Sequence, residues 1–298
     1  MEGNYINCKI NEMLEKLEQD RYINSDKTIK FGLEVYSLCV GANYETGMAF
    51  AFWCVGEAYL NMSKYENAMP HLFESIKLSQ RQNICDLQVL TYLTIGDTYF
   101  DTGEYEKSLD YYNSAEKIAN QITKCKNYFK NSYEYYAAKI YNRIGEIYRI
   151  LRCYEDATIY YNLAVNLDRK LNYKATFGGV LLNLGNVQYH LGNYDKAMEY
   201  LNESLPYLIN NNHKIGLAEA YGIVALIHEK KTNYEECEKY FSKAIDVSSE
   251  MAYDYCKIDI ILDFCNFLEN TGRREVAIYK LDEVYNISIK NKMYAKTM

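Results

Sequence analysis

Proline is nearly absent from this chain of 298 residues, which contains 2. So little proline argues against a loop-rich β-sandwich, a collagen-like fibre or a disordered tract. Nowhere is there an apolar run near the roughly 18 residues that a membrane-crossing helix needs. Met1 to Asp20 lack the basic-then-apolar pattern of a secretory leader. There is no basic excess either: 33 Lys and Arg stand against 40 Asp and Glu, a formal charge of -7. That balance excludes broad contact with a phosphate backbone, so neither nucleic acid nor membrane is expected as a partner. Phosphate-loop, dinucleotide-fingerprint, nucleophile-elbow and H-E-x-x-H motifs are all missing. The 4 histidines, His71, His190, His213 and His228, form no i, i+4 pair. No metal, cofactor or catalytic activity is therefore expected. Cysteine is present at 8, 39, 54, 85, 125, 153, 237, 256 and 265, an odd count without a C-x-x-C pair. These read as small buried hydrophobes in a reducing cytoplasm.

What the chain has is tyrosine, 33 of its 298 residues, and a 49% hydrophobic content that suffices for a core. The tyrosines are periodic. A tyrosine followed by an acid recurs at Tyr65-Glu66, Tyr105-Glu106, Tyr154-Glu155, Tyr194-Asp195 and Tyr234-Glu235, in steps of 40, 49, 40 and 40; the next step of 40 lands on Arg274. Nine residues before each landmark stand Gly56, Gly96, Gly145, Gly185 and Ala225. Three after it are Ala68, Ser108, Ala157, Ala197 and Cys237. Seven after are Leu72, Tyr112, Tyr161, Leu201 and Phe241, and ten after are Ser75, Ala115, Ala164, Ser204 and Ala244. Small and large residues thus alternate at helical spacings of three and four. Each unit reads as two apolar helices joined by a short polar turn such as Leu191-Gly192-Asn193. Neither helix can bury its face alone, so units must stack.

These aligned positions resemble the tetratricopeptide repeat, over about residues 45–290. The resemblance implies an all-α fold, a right-handed α-α superhelix of about seven helix pairs with a concave groove that grips a peptide or a protein segment. The period of 40 exceeds the family's usual 34, and the proline that often closes the second helix is missing. The longer unit is similar to repeats of Rap-type peptide-sensing regulators and of the sensory regions of clostridial-type diguanylate cyclases. The first likeness implies a binding scaffold in bacterial signalling. The second offers an alternative, a sensory region of a larger enzyme whose catalytic domain lies beyond residue 298.

The expected organisation is one solenoid domain, 1–298. A degenerate helix pair occupies 1–44, with helices over 5–20 and 26–42. Six pairs follow at about 45–81, 84–122, 132–171, 174–210, 214–250 and 253–290, and 291–298 begin a truncated further helix. That uncapped end is read as an edge for a second copy or for more chain. Nine extra residues fall between Ala119 and Tyr136, as a loop or as lengthened helices, with a tolerated insertion favoured over a docking knob. Pro70 falls early in a helix, and Pro206 is expected to shorten or bend one.

In the resembled family the first helix of each pair lines the groove. Carried onto this sequence, that places Trp53, Glu57 and Asp97 in an acidic, aromatic zone. Asn142, Arg143, Glu146, Arg149, Asn183, Asn186 and His190 form a basic, amide-rich zone. Asparagine can donate to and accept from a peptide main chain, and arginine can hold a carboxylate through two hydrogen bonds. Arg143–Glu146 or Glu146–Arg149 pairs along one helix would be the structural use of the same residues. His228, where the other units carry mostly tyrosine, reads as a packing residue.

Overall fold

In a computed structural model of the protein, which describes residues 2–21, 23–251 and 255–290, every regular element is helical. Among the described residues there are fourteen α-helices: α1 Glu2–Asp20, α2 Ser25–Gly41, α3 Glu45–Asn61, α4 Tyr65–Arg81, α5 Cys85–Asp101, α6 Tyr105–Ala119, α7 Tyr133–Ile150, α8 Tyr154–Leu171, α9 Lys174–His190, α10 Tyr194–Asn210, α11 Lys214–Lys230, α12 Tyr234–Ser249, α13 Tyr255–Asn270 and α14 Arg274–Lys290. These are the expected pairs almost residue for residue. The expected helix start at 291–298 lies outside the described residues. The chain divides into two compact units, Met1–Ile147 and Tyr148–Met298.

The tyrosine landmark is the first residue of the second helix in five pairs; Ser25 takes that place in the first pair and Arg274 in the last. The acid that follows it stands in the first turn, where the helix dipole favours a negative charge. Two residues before every landmark the chain turns through the left-handed region. Gly103, Gly192 and Gly272 do so with φ of 76 to 79°, and Ser63, Arg152 and Thr232 with φ of 55 to 59°. The turns between pairs make the same excursion on Asn43, Asn83, Asn172 and Asn212, with φ of 51 to 55°. Asparagine tolerates that region better than other side chains bearing a Cβ. These asparagines recur at the repeat spacing, a signal that the tyrosine alignment passed over.

The core follows the small–large alternation. Ala68, Ser108, Ala157, Ala197 and Cys237 have no exposed surface, and neither do Leu72, Tyr112, Tyr161, Leu201 and Phe241. Burying one such large side chain stabilises by about 1.5–3 kcal/mol. The glycines set how closely paired helices approach: a Cβ on Gly185 would stand 2.7 Å from Leu201 Cγ. Gly56 meets Leu72, and Gly96 meets Tyr112, in the same way. A second recurring contact lies outside that alignment. The aromatic six residues before a landmark stacks on the one six after it, as Tyr59 on His71, Tyr99 on Tyr111, Tyr148 on Tyr160 and His228 on Tyr240, at 5.4 to 5.6 Å. His228 and His71 are therefore packing residues. His213 accepts a hydrogen bond from Gly216 N–H at 3.0 Å and caps α11.

Three expectations need correction. Pro206 does not shorten α10, which runs its full 17 residues; the ring is exposed, so the lost N–H bond falls on the water side. Cys85 and Cys125 are joined as a disulfide, with Cα atoms 5.7 Å apart, although Cys39, Cys54, Cys237 and Cys265 are the buried thiols expected. The inserted residues are neither helical extensions nor a free loop. After a short 3-10 turn, Ile122–Lys124, they run back across the first unit. Cys85 N–H donates to Lys126 O at 3.1 Å and Lys126 N–H to Asn83 O at 3.0 Å, a single bridge to the turn before α5.

Candidate functional site

In both units the first helices of successive pairs touch: α3 meets α5, α9 meets α11, and α11 meets α13. Their shared face carries the residues expected to contact a ligand, and the two units treat that face differently.

In the first unit four of those residues, Trp53, Glu57, Asp97 and Arg143, are held by internal partners. Arg21 pairs with Glu57 at 2.5 Å, and its guanidinium lies 4.3 Å from the Trp53 ring centre. Burial pushes the Glu57 carboxyl up even beside that arginine. Arg143 donates from Nε and Nη2 to Asp97, at 2.7 and 3.2 Å. Tyr112 also donates to Asp97, at 2.7 Å. Arg143 is thus held across helices, by Asp97 of α5. Burial, followed by the charges of Arg143 and Arg21, pulls the Lys139 ammonium down. Trp53 is not open to a ligand: it is 1% exposed, and its indole N–H donates to Thr94 Oγ1 at 3.0 Å. Arg21 and Phe50 pack against it together with the insertion, whose Phe129 stands edge-on to it at 5.8 Å.

The second unit has an open pocket of about 390 Å3 on the same face. Asn186, Tyr189 and His190 of α9 line one side of it, and Asp259 and Asp263 of α13 the other. Between them lie Glu219, Ile223 and Leu226 of α11. The Oδ1 of Asn186 is buried and accepts no hydrogen bond. His190 stacks face to face on Tyr154 at 4.9 Å; burial first, then the charges of Arg149 and Arg152, lower the pKa of its imidazole. Burial, with Asp259 and Glu229 adding to it, pushes the Asp263 carboxyl up to about 6. Like charges gathered out of water raise a carboxyl in this way, and a cation brought among them would reverse it.

Of the ten expected residues, Asn186 and His190 therefore line an open pocket. Asn183 and Arg149 are half-buried within the second unit. Asn142, Arg143 and Glu146 belong to the first unit. Asp263 was missed, although it lies eleven residues before Arg274, the register that holds Arg143 and Asn183. The lost tyrosine at 274 hid it. Among the described residues no helix is long and apolar enough to cross a membrane.

The fold agrees with what the chain is similar to. Tetratricopeptide-repeat models match residues 136–210, and residues 90–122 and 218–250. Those segments coincide with α5–α6, α7–α10 and α11–α12. No curated protein matches the sequence. Among solved structures, the apo form of RapI superposes with a TM-score of 0.72 at 16% identity, covering 97% of this chain and 100% of that one. A Rap protein complexed with competence and sporulation factor gives 0.71 at 16% identity, covering 98% and 79%. NprR in complex with its cognate peptide NprX gives 0.66 at 15% identity, covering 97% and 82%. At such identities the likeness shows the fold alone. With the family models falling on its helix pairs, this chain is a helical solenoid of the tetratricopeptide-repeat kind, its repeats matched over residues 90–122, 136–210 and 218–250.

Proposed function

We propose that this protein is a signalling scaffold that holds a short peptide on the first-helix face of its second unit, and that the pocket between α9, α11 and α13 selects a basic residue of that peptide. The carrying observation is the pocket. Asp263, Asp259 and Glu219 surround a space that suits one or two side chains, with Ile223 and Leu226 as an apolar floor. The buried Asn186 oxygen accepts no hydrogen bond, and a turn of its amide toward the pocket would let it accept a donor such as a peptide N–H. The Rap and NprR structures include peptide complexes, which supports a peptide over a folded partner. On this reading the chain is not itself an enzyme, and its repeats act as one continuous domain. A cytoplasmic location goes with it and would keep the Cys85–Cys125 pair reduced in the cell; thiol trapping under denaturing conditions at the moment of lysis tests that part, since both cysteines would then be labelled.

The test is a library of short synthetic peptides screened against the full chain by fluorescence polarisation. Binding peptides should be enriched in Lys or Arg, and Asp263→Asn and Asn186→Ala should each weaken them about tenfold or more, the scale of a lost charge-assisted contact. Binders indifferent to both substitutions, or no binders at all, would remove the reading.

A further inference from the structure

Six helix pairs build the repeated core, and only one junction carries nine additional residues. Repeat packing does not require them. Their contacts are to helices far back in the chain. Tyr128 stacks on Phe50 at 5.3 Å, and Phe129 meets Phe50 and Trp53 at 5.8 Å each. The main chain from Cys125 is extended, with φ -119° and ψ 173°, and bridges the turn at Ile84. Asp86, which has no exposed surface, accepts the N–H of Phe129 with one oxygen and that of Leu87, at 2.8 Å, with the other. The counterparts of Asp86 in other units are Thr46, Tyr135, Ala175 and Ile215, and those of Trp53 are Leu93, Asn142, Leu182 and Gly222. The acid and the indole thus occur only where the insertion lies. Main-chain pairing plus an aromatic pair is how an extended peptide is held on a protein surface. Tyr128 and Phe129 remain only half-buried, unlike the landmark-phased core.

We infer that residues 125–130 are an internal ligand: they occupy a second binding site, on the first-helix face of the first unit, that accepts an extended peptide with two adjacent aromatic residues when they leave it. Asp86 receives the main chain of that peptide, and Phe50 and Trp53 receive its rings. The Cys85–Cys125 bond fastens the occupant at its leading end, and Asn127 folds its far end by accepting from Lys130 N–H at 2.7 Å. This site is separate from the pocket of the second unit, and either assignment can fail alone.

Trp53 is the sole tryptophan and lies beneath the occupant, so its emission reports the site directly. In the full chain with residues 122–131 replaced by a Gly-Ser linker, under reducing conditions, acrylamide quenching of Trp53 should rise severalfold. A synthetic peptide of residues 123–131, with serine for Cys125, should restore protection saturably, and the same peptide with alanine for Tyr128 and Phe129 should not. Unchanged quenching, or no rescue by the peptide, overturns the inference. Should the replaced chain lose its helical circular dichroism, Phe129→Ala in the reduced intact chain decides. Increased quenching with full helicity supports an internal ligand. Unchanged quenching, or lost helicity, makes the segment core and overturns it.

Discussion

Arg143 of α7 and Asp97 of α5 form a two-pronged ion pair, with 47% and 25% of their side chains exposed. Tyr112 shares the same carboxylate, so a residue expected to await a ligand is already held by two internal donors. Exposed pairs contribute little, and a double-mutant cycle on Arg143→Ala and Asp97→Ala should give a coupling of about 0.5–1 kcal/mol in urea unfolding. In the peptide assay Arg143→Ala should leave affinity unchanged, whereas Asn186→Ala weakens it. Equal losses from the two would return Arg143 to the ligand site.

Close approach of helices predicts the cost of one methyl group. Gly185→Ala places a Cβ 2.7 Å from Leu201, a fully buried side chain with no room to withdraw. Chemical denaturation should show a loss of about 1–3 kcal/mol. The same substitution at Gly179, whose Cβ would meet nothing within 4 Å, should instead be neutral or stabilising.

Thr232 is β-branched and sits at φ 59°, where Gly192 and Gly272 serve the equivalent turns. Relief of that strain outweighs the added freedom of the unfolded chain, so Thr232→Gly should stabilise by about 1 kcal/mol. A lower melting temperature for that variant would show that the threonine is held there by contacts of its own.

Protonation of Asp263 should govern ligand affinity. Its carboxyl is raised to about 6, so the folded state holds the proton more tightly than the unfolded one. The stability this contributes is present below the unfolded value near 4 and is lost as the pH rises through about 6. A basic peptide requires the ionised form, so its affinity should run the opposite way. It should weaken about tenfold from pH 7 to pH 5, if the bound cation returns the carboxyl to its ordinary range. In Asp263→Asn, calorimetry should find that pH dependence gone. A dependence that survives would assign it to another group.

The helices were legible because their cause is local and repeated. An alternation of small and large residues such as Gly56, Ala68, Leu72 and Ser75, repeated through five units, leaves each helix one way to bury its face, and the acid after each tyrosine marks where the second helix begins. The site was legible only as a register. Asn186 and His190 were found because groove positions recur with the period, while Asp263 was lost with the tyrosine that would have indexed it. The sequence by itself determined the helix pairs, their boundaries and the packing role of most tyrosines, since these depend on neighbours at fixed spacing. Only the tertiary structure decided which groove positions stay open. Whether Asp97 meets Arg143, whether Phe129 covers Trp53 and whether Cys125 reaches Cys85 depend on contacts 40 to 76 residues apart that no period encodes.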